Sequence, residues 1–205
     1  MIAPEPKRVL IIRLSAIGDV VFASPLVAAC KKRYPEAEIE WLAEGVVRPL
    51  LNELPGLNKV ILWPRQEWQD LWREKRLFAL LSAVMAFRRK LRARNYDLVI
   101  DAQGLVKSAF LAWLTGSRQR IGFKSKEPNG MFLTDRFEKS ITPRISSEYL
   151  ALADTLGWDT SSFEMVLGLS ASDEGRATDV MPEGPYIVVA PFTTRPQKHW
   201  THAHW

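Results

Sequence analysis

The sequence predicts an α/β fold, a doubly wound parallel sheet with helices packed on both faces. Short apolar runs alternate with longer helix-like segments through the first 123 residues, and strands joined by helices in this way form right-handed βαβ units. The first run, residues 9–14, is apolar apart from Arg13, which is typical of a parallel strand buried on both faces. The 205 residues are 47% hydrophobic, enough to form a packed core, so a wholly disordered chain is excluded.

Proline and glycine residues divide the chain into its predicted elements. Five strands are predicted, at residues 9–14, 39–42, 60–63, 96–101 and 119–123. Four helices are predicted, at residues 20–33, 46–52, 77–94 and 105–114. Pro25 falls in the first turns of helix 20–33, where proline is tolerated, and Pro35 ends that helix. Residues 64–76 are polar and aromatic without a clear period, so no element is predicted there.

The end of the sequence predicts a second domain. Residues 169–184 are rich in Ser, Asp, Gly, Glu and Pro, and they are predicted to link the two domains. Residues 186–191 are predicted as a new strand, followed by a polar loop. Because a lone strand cannot bury a core of its own, we expect residues 1–168 to form the first domain. Residues 185–205 would then open a second domain whose remainder lies outside this sequence.

Composition excludes several classes of protein. The longest apolar stretch without a charge, residues 77–87, is too short to span a bilayer. The N-terminus runs into an apolar strand without a cleavage site, which predicts a cytoplasmic protein. The single cysteine, Cys30, excludes an intrachain disulfide framework and a cysteine-based zinc site. A formal net charge of +5 suits an anionic ligand, a membrane surface or nucleic acid, but no recognised nucleic-acid motif favours the last.

The first motif with chemical potential is residues 13–25, RLSAIGDVVFASP. A strand ends there, Gly18 is predicted to permit a tight turn, and a helix begins, which is the edge where open parallel sheets bind ligands. It is neither a dinucleotide fingerprint nor a Walker loop, because it has one glycine and no Gly-Lys pair. Asp19 could cap the helix or act in catalysis, and the residues alone leave both open.

Two further motifs place polar groups after strands. In residues 97–108, DLVIDAQGLVKS, the strand is followed by Asp101, Gln103 and Lys107, which could bind a ligand or cap and solvate the next helix. In residues 190–200, APFTTRPQKHW, hydroxyls and a lysine follow a strand, and such a loop could bind a diphosphate. An ordinary polar loop is the alternative. The three histidines near the chain end are weak evidence for a metal site, and none is predicted.

A basic and aromatic region lies between these motifs. Residues 65–76 contain two tryptophans among arginines, and RRKLRAR at residues 88–94 closes a predicted helix. The basic run could lie on a solvent-exposed face and interact favourably with the C-terminal end of the helix dipole. Beside the apolar stretch 77–87 it could also rest on anionic lipid headgroups, which would place the protein in peripheral contact with the inner face of a membrane.

Together these segments resemble glycosyltransferase family 9, the heptosyltransferases. The matching pieces are residues 13–25, residues 95–108, the Glu-Pro pair at 127–128 and residues 193–200, in fitting order and spacing. The resemblance covers essentially the whole chain but only the first half of the family's protein. It implies a GT-B fold, in which two Rossmann-like domains face a cleft, the first binding the lipid acceptor and the second the nucleotide sugar.

The resemblance also implies an activity, the inverting transfer of L-glycero-D-manno-heptose from ADP-heptose to a Kdo sugar of Kdo2-lipid A in lipopolysaccharide inner-core synthesis. It implies no metal and no cofactor, and the sequence has no Asp-x-Asp metal motif. By position, Asp19 is the implied general base. The implied donor-binding residues are Thr193, Thr194 and Lys198. The implied acceptor-binding residues are Ser15, Gly18, Arg65, Gln103, Lys107 and Lys126. Lys126 stands where an arginine is expected, so a bidentate fork is lost there.

Two other functions remain open. The chain could be a non-catalytic fragment that at most binds the acceptor, and because a GT-B site is built from two domains, the 205 residues alone are expected to be inactive. A basic nucleic-acid-binding α/β domain is the weaker alternative. Heptose transfer, acceptor binding without ADP binding, and salt-dependent oligonucleotide binding would distinguish the three.

Overall fold

The computed structural model describes residues 5–140, 142, 147–189 and 199. The chain divides into two compact units, Met1–Leu169 and Ser170–Trp205. The division lies one residue from the predicted end of the first domain. What each domain binds stays a prediction.

The first unit is built on a six-stranded sheet in the order β3-β2-β1-β4-β5-β6, and every neighbouring pair is parallel. The strands are β1 (Arg8–Ile12), β2 (Glu38–Ala43), β3 (Lys59–Leu62), β4 (Leu98–Asp101), β5 (Gln119–Phe123) and β6 (Asp135–Phe137). This is the strand order of Rossmann folds. The predicted doubly wound parallel sheet is confirmed, and β6 is a strand that the sequence did not predict.

Helices cover both faces of the sheet, so each face has its own core. They are α1 (Ile17–Ala23), α2 (Pro25–Arg33), α3 (Arg65–Arg73), α4 (Leu77–Arg92), α5 (Val106–Leu114) and α6 (Ser147–Thr155), with short 3-10 helices at Gly45–Leu50 and Asn129–Met131. Val9 and Ile11 of β1 pack on the face covered by α2 and α6, whereas Leu10 and Ile12 pack on the face covered by α4 and α5. Because successive side chains of β1 enter the cores on opposite faces of the sheet, residues 9–12 are all apolar.

The predicted helix 20–33 is two helices. The first begins at Ile17, three residues earlier than predicted, and the second begins at Pro25. Proline has no N–H to donate to the preceding turn, so it starts a new helix more readily than it continues one. Instead, the backbone N–H and the hydroxyl of Ser24 both donate to the carbonyl of Val21, at 3.2 and 2.8 Å.

Residues 64–76, for which no element was predicted, contain α3. This helix is held by aromatic packing, since Trp68 makes edge-on contacts with Trp63 and Phe87 at centroid distances of 6.0 and 5.6 Å. Its apolar residues are Trp68, Leu71 and Trp72, and the rest are charged or amide-bearing. The spacing i, i+3, i+4 is that of one helix face, so a short helical signal was present in the sequence and was missed.

The second unit contains a helix that the sequence did not predict and lacks a strand that it did. The segment predicted as a linker contains α7 (Ala171–Val180). A reciprocal capping box starts it, in which the Ser170 hydroxyl accepts from the Asp173 N–H at 3.1 Å and the Asp173 carboxylate accepts from the Ser170 N–H at 3.2 Å. Residues 186–189, predicted as a strand, form no strand, and Ile187 is 90% exposed. An isolated extended segment has no neighbour to satisfy its backbone groups. Residues 190–191 lie outside the described residues.

Candidate functional site

The candidate site lies where β1 and β4 are neighbours at the centre of the sheet. Strand order reverses there, since successive strands run outward from β1 in one direction and from β4 in the other. Open α/β sheets bind ligands in the crevice beyond the carboxyl ends of such strands. The segments that follow β1 and β4 are the first two sequence motifs, so the fold brings together what the sequence separates by almost ninety residues.

A buried arginine connects the segments that follow β1 and β4. The Arg13 side chain is 9% exposed and forms an ion pair with Asp19, whose side chain is 44% exposed. One guanidinium nitrogen of Arg13 donates to the carbonyl of Ala102 at 3.2 Å, so the cation joins the two motifs. Oδ2 of Asp19 accepts from the guanidinium and also from the N–H of Ala16 at 3.2 Å. Both contacts fall on Oδ2, and Oδ1 of Asp19 has no hydrogen-bond partner among the described residues.

The helix-cap hypothesis for Asp19 needs a correction. The residue before α1 is Ala16, and Asp19 is the third residue of the helix. From there its carboxylate reaches back to the N–H of Ala16, so it supports the helix start from inside the first turn. A carboxylate at this end also benefits from the helix dipole. Supporting the helix uses Oδ2 and does not occupy the other oxygen.

The turn glycine of the site is Gly104 rather than Gly18. Gly18 lies within α1, and a Cβ there would meet nothing closer than the Phe22 ring at 4.0 Å. The prediction that Gly18 permits a tight turn is therefore wrong. Gly104 has φ of +74°, a left-handed conformation that side chains disfavour, and a Cβ there would lie 3.2 Å from Cβ of Phe123.

Asp101 stabilises the turn after β4, and Gln103 connects that turn to the loop after β1. Oδ1 of Asp101 accepts from the N–H groups of Gln103 and Gly104, at 3.0 and 3.1 Å. Oε1 of Gln103 accepts from the N–H of Leu14 at 2.9 Å, and Gln103 is buried. Asp101 therefore stabilises the turn before α5 and does not cap that helix. The start of α5 is instead supported by Ser108, since its hydroxyl accepts from the N–H of Leu105 at 3.1 Å. Gln103 ties the loops together, and its predicted contact with the acceptor is not tested.

The pKa of Asp101 is raised from 3.8 to about 6. Burial is the main cause, because the side chain has no exposed surface and desolvation disfavours its charged form. Gly104, the nearby Ser108 hydroxyl, Gln103 and the charge of Arg13 oppose the shift. The Ser108 hydroxyl donates its own proton to the carbonyl of Leu105 at 2.9 Å. Oδ2 of Asp101 is buried without a hydrogen-bond partner among the described residues. The central crevice therefore contains a carboxyl group whose protonation changes in the mildly acidic range.

Two of the predicted acceptor residues contribute positive charge beside the crevice. Arg65 is the first residue of α3, and its guanidinium donates to both carboxylate oxygens of Glu44, at 3.0 and 3.2 Å. The N–H of Glu44 donates to the carbonyl of Leu14 at 3.0 Å, which connects this pair to the loop after β1. The ammonium of Lys107 lies 5.9 Å from the centre of the Trp63 ring, within range of a cation–π contact.

An aromatic groove of about 420 Å³ runs beside Arg65 between α3, α4 and α5. Trp63, Trp68 and Trp72 line it together with Phe110. The indole N–H groups of Trp63 and Trp68 are buried without a partner in the described part of the chain. A larger cleft of about 850 Å³ lies at the amino ends of β4 and β5. Because parallel sheets bind ligands at the opposite edge, the groove is the better candidate for substrate.

The remaining predicted residues lie on loops of the candidate site or outside the described residues. Lys126 is exposed on the loop after β5, next to Glu127, whose carboxylate accepts from the N–H of Val106 at 2.8 Å at the start of α5. Ser15 is half-buried in the loop after β1. The three predicted donor residues are outside the described residues, so their role stays a prediction. They are Thr193, Thr194 and Lys198.

The part of the chain that the structure describes contains neither a candidate metal site nor a candidate membrane-spanning helix. In that part of the chain no three His, Cys, Asp or Glu side chains could together hold a metal ion. None of the helices described is long and apolar enough to cross a membrane.

Arg13 and Glu44 are the functional candidates that sequence reasoning missed. Arg13 had a visible signal, since it is the single charge within the apolar run 9–14. Because a buried charge needs a partner, the sequence pointed to a carboxylate near the same strand end, and Asp19 is that partner. Glu44 gave no comparable signal, because its pairing with Arg65 depends on β2 and β3 lying side by side.

Comparison with known proteins identifies the family. The model of glycosyltransferase family 9 (heptosyltransferase) matches residues 84–205, more than half of the sequence. The chain belongs to glycosyltransferase family 9. It is 29% identical to lipopolysaccharide heptosyltransferase 1 of Pseudomonas aeruginosa, covering 97% of this chain and 56% of that protein. It is also 29% identical to lipopolysaccharide heptosyltransferase 1 of Escherichia coli K12, covering 97% and 62% respectively.

Solved structures of the family agree with the fold. The chain matches the E. coli heptosyltransferase WaaC with ADP-2-deoxy-2-fluoro heptose at a TM-score of 0.71 and 27% identity, covering 97% of this chain and 63% of that one. It matches a family 9 glycosyltransferase of Veillonella parvula at a TM-score of 0.76 and 16% identity, which concerns the fold alone. The predicted Rossmann-like fold and family resemblance are confirmed. The chain spans about 56 to 63% of the length of these heptosyltransferases.

Proposed function

We propose that this chain forms the acceptor side of a heptosyltransferase. The reaction is transfer of L-glycero-D-manno-heptose from ADP-heptose to a Kdo sugar of Kdo2-lipid A, with inversion, in lipopolysaccharide inner-core synthesis. The main observation that supports it is the position of Asp19. Its half-exposed carboxylate lies at the strand-order reversal and forms an ion pair with the buried Arg13. Family membership supports the type of reaction, and the ADP-heptose analogue named with the E. coli structure supports the donor.

Asp19 acts as the general base in this proposal. The acceptor hydroxyl gives its proton to the carboxylate while its oxygen forms a bond to the anomeric carbon of heptose. The bond from that carbon to the diphosphate breaks on the opposite face, which inverts the configuration and releases ADP. The open oxygen Oδ1 is the one available for the proton, since Oδ2 already accepts from Arg13 and Ala16. General-base assistance of this kind contributes about 10²–10⁴ in rate.

The leaving diphosphate needs positive charge and hydrogen-bond donors. Thr193, Thr194 and Lys198 supply them in this proposal, together with backbone N–H groups of their loop. No metal and no cofactor is invoked beyond the donor substrate.

The acceptor side needs groups that bind anions, because Kdo2-lipid A bears carboxylates and phosphates. Arg65, Lys107 and Lys126 provide positive charge around the crevice in this proposal, and Ser15, Gly18 and Gln103 provide the neighbouring wall. The aromatic groove beside Arg65 offers a surface for sugar stacking or acyl binding. A cytoplasmic location in peripheral contact with the membrane belongs to the same proposal.

The test combines a transfer assay with a binding assay. Heptose transfer from ADP-heptose to Kdo2-lipid A is measured with the 205-residue chain and with any natural longer form of it. Binding of Kdo2-lipid A and of ADP to the 205-residue chain is measured by calorimetry. The proposal expects saturable acceptor binding that Arg65→Ala weakens, and transfer in a form that also binds ADP-heptose.

Other outcomes would favour other functions. Acceptor binding in every form without transfer in any of them would make the protein a non-catalytic acceptor-binding module. Oligonucleotide binding that falls steeply with salt, without Kdo2-lipid A binding, would favour a nucleic-acid-binding domain.

A further inference from the structure

The hairpin of α3 and α4 exposes large apolar side chains. Trp72 also lines the aromatic groove, whereas Leu77, Phe78, Leu81 and Met85 do not. Trp72 at the end of α3 is 67% exposed, and on α4 Phe78 is 92% and Leu81 60% exposed. Phe78, Leu81 and Met85 follow the spacing i, i+3, i+7, so they lie on one face of α4. The opposite face of that helix is buried through Phe87. We call Trp72, Leu77, Phe78, Leu81 and Met85 the α3–α4 patch. Grouped exposed apolar side chains of this kind mark an interaction surface.

Positive charge is concentrated in the same hairpin. Residues 65–94 contain nine Lys or Arg and three Asp or Glu, a net formal charge of +6, whereas the whole chain has a net charge of +5. The other 175 residues together are therefore close to neutral. Exposed cations stand at both ends of the patch, with Lys75 and Arg76 before α4 and Arg89 and Lys90 in its last turns.

This combination fits a lipid surface better than a second copy of the chain. An apolar helix face flanked by Lys and Arg is the arrangement of helices that lie in the bilayer interface, where anionic headgroups attract the cations. A symmetric dimer would place the same patch on both partners and bring like charges together, which opposes association.

The hairpin also connects this surface to the candidate site. α3 begins at Arg65, which contacts Glu44 beside the crevice, and it ends at the patch. Nine helical residues span about 13 Å. A bilayer that touches the patch would therefore lie roughly one short helix away from the residues proposed to bind the acceptor.

We infer that the α3–α4 patch docks the protein on an anionic bilayer. Trp72, Phe78 and Leu81 enter the headgroup region, and the flanking lysines and arginines contact lipid phosphates. The inference extends the proposed function, which calls for a lipid acceptor, but its evidence is the exposed surface and its charge.

The experiment is vesicle co-sedimentation of the full 205-residue chain. Vesicles of phosphatidylcholine alone are compared with vesicles that also contain phosphatidylglycerol, at low and at high salt. The test variant is F78S/L81S, and the matched apolar control is Met131→Ser, since Met131 is 73% exposed away from the hairpin. The charge variant is K75Q/R89Q, and its control is the exposed Arg118→Gln at the amino edge of β5. Thermal unfolding confirms that each variant is folded.

The inference expects binding to the anionic vesicles and much weaker binding to the neutral ones. Losing two large apolar groups should weaken binding at least tenfold. Each cation removed near the surface should weaken it by about fivefold. The two control variants should bind like the parent protein. Bromolipid quenching of tryptophan fluorescence, reduced by Trp72→Phe, gives a second measurement that does not depend on the apolar variants.

Three results would overturn the inference. One is no binding to anionic vesicles, and another is binding that F78S/L81S leaves unchanged. The third is a dimer in sedimentation analysis that Phe78→Ser dissociates, without vesicle binding, which would assign the patch to a second copy. Because this assay uses plain vesicles without Kdo2-lipid A or ADP-heptose, its failure is distinct from failure of the proposed heptose transfer.

Discussion

Replacing Asp101 by Asn should make the protein more stable at neutral pH. Asp101 is completely buried, and its Oδ1 accepts from the N–H groups of Gln103 and Gly104. An asparagine can keep both of those bonds through its side-chain oxygen, while its amide replaces the unpartnered oxygen Oδ2. The substitution therefore removes a buried negative charge and retains the turn.

The size of the effect follows from the pKa of Asp101, which folding raises from 3.8 to about 6. Because the folded state holds this proton more tightly than the unfolded state, the contribution is fully present below pH 3.8. It is lost as the pH rises through 6. A shift of about two pKa units corresponds to about 3 kcal/mol in the free energy of unfolding. Asp101→Asn removes this dependence, so between pH 4 and pH 7 the difference in stability shifts in favour of the variant by about 2 kcal/mol.

The assay is urea unfolding followed by tryptophan fluorescence at several pH values from 4 to 8. The difference between variant and parent cancels the contributions of the other carboxylates, which both proteins share. Asp135→Asn, at an exposed position, is the control for the loss of one carboxylate charge at the surface. A difference between Asp101→Asn and the parent that is also constant from pH 4 to pH 8 would refute the reasoning.

Three further substitutions test the geometry of the site. Gly104→Ala should lower the free energy of unfolding by about 1–3 kcal/mol because of its left-handed φ, whereas Gly18→Ala in α1 should be neutral or stabilising; equal effects in thermal unfolding would contradict this. Arg13→Lys should cost about 1–3 kcal/mol, since an ammonium cannot reach both of its partners as the fork does, and unchanged stability would show that the buried fork is unimportant. Arg65→Ala should weaken calorimetric binding of Kdo2-lipid A with little change in unfolding, because its ion pair is partly exposed; unchanged acceptor affinity would remove Arg65 from the site.

The sequence predicted the central sheet and the position of the site because both depend on local patterns. Strand β1 is apolar on two faces and shows it as a continuous run, Asp101 ends β4, and Asp19 lies in the first turn of the helix after β1. Helix α3 was missed because three apolar residues among six polar ones give only a short helical signal, and its tryptophans are held by contacts made in the folded protein. Long-range pairs such as Arg13 with Ala102 depend on which strands are neighbours, and that order is not local information.

The second unit was harder to predict for a related reason. Residues 169–184 have the composition of a linker, yet Ser170 and Asp173 form a capping box that starts α7. The spacing of these two residues was a readable signal, and composition outweighed it. Residues 186–189 have the apolar composition of a strand but lack the neighbouring strand that would make them one.

Turnover of Asp19→Asn is the most direct test of the central claim. It is measured in a form of the protein that transfers heptose from ADP-heptose to Kdo2-lipid A, with ADP affinity determined on the same preparation. Asparagine can still accept from Arg13 and Ala16, so α1 and the loop should keep their structure, but it cannot take a proton. The account predicts a fall in kcat of about 10²–10⁴ with ADP affinity unchanged. Near-parental turnover would contradict it and leave Asp19 as a residue that only supports the start of a helix.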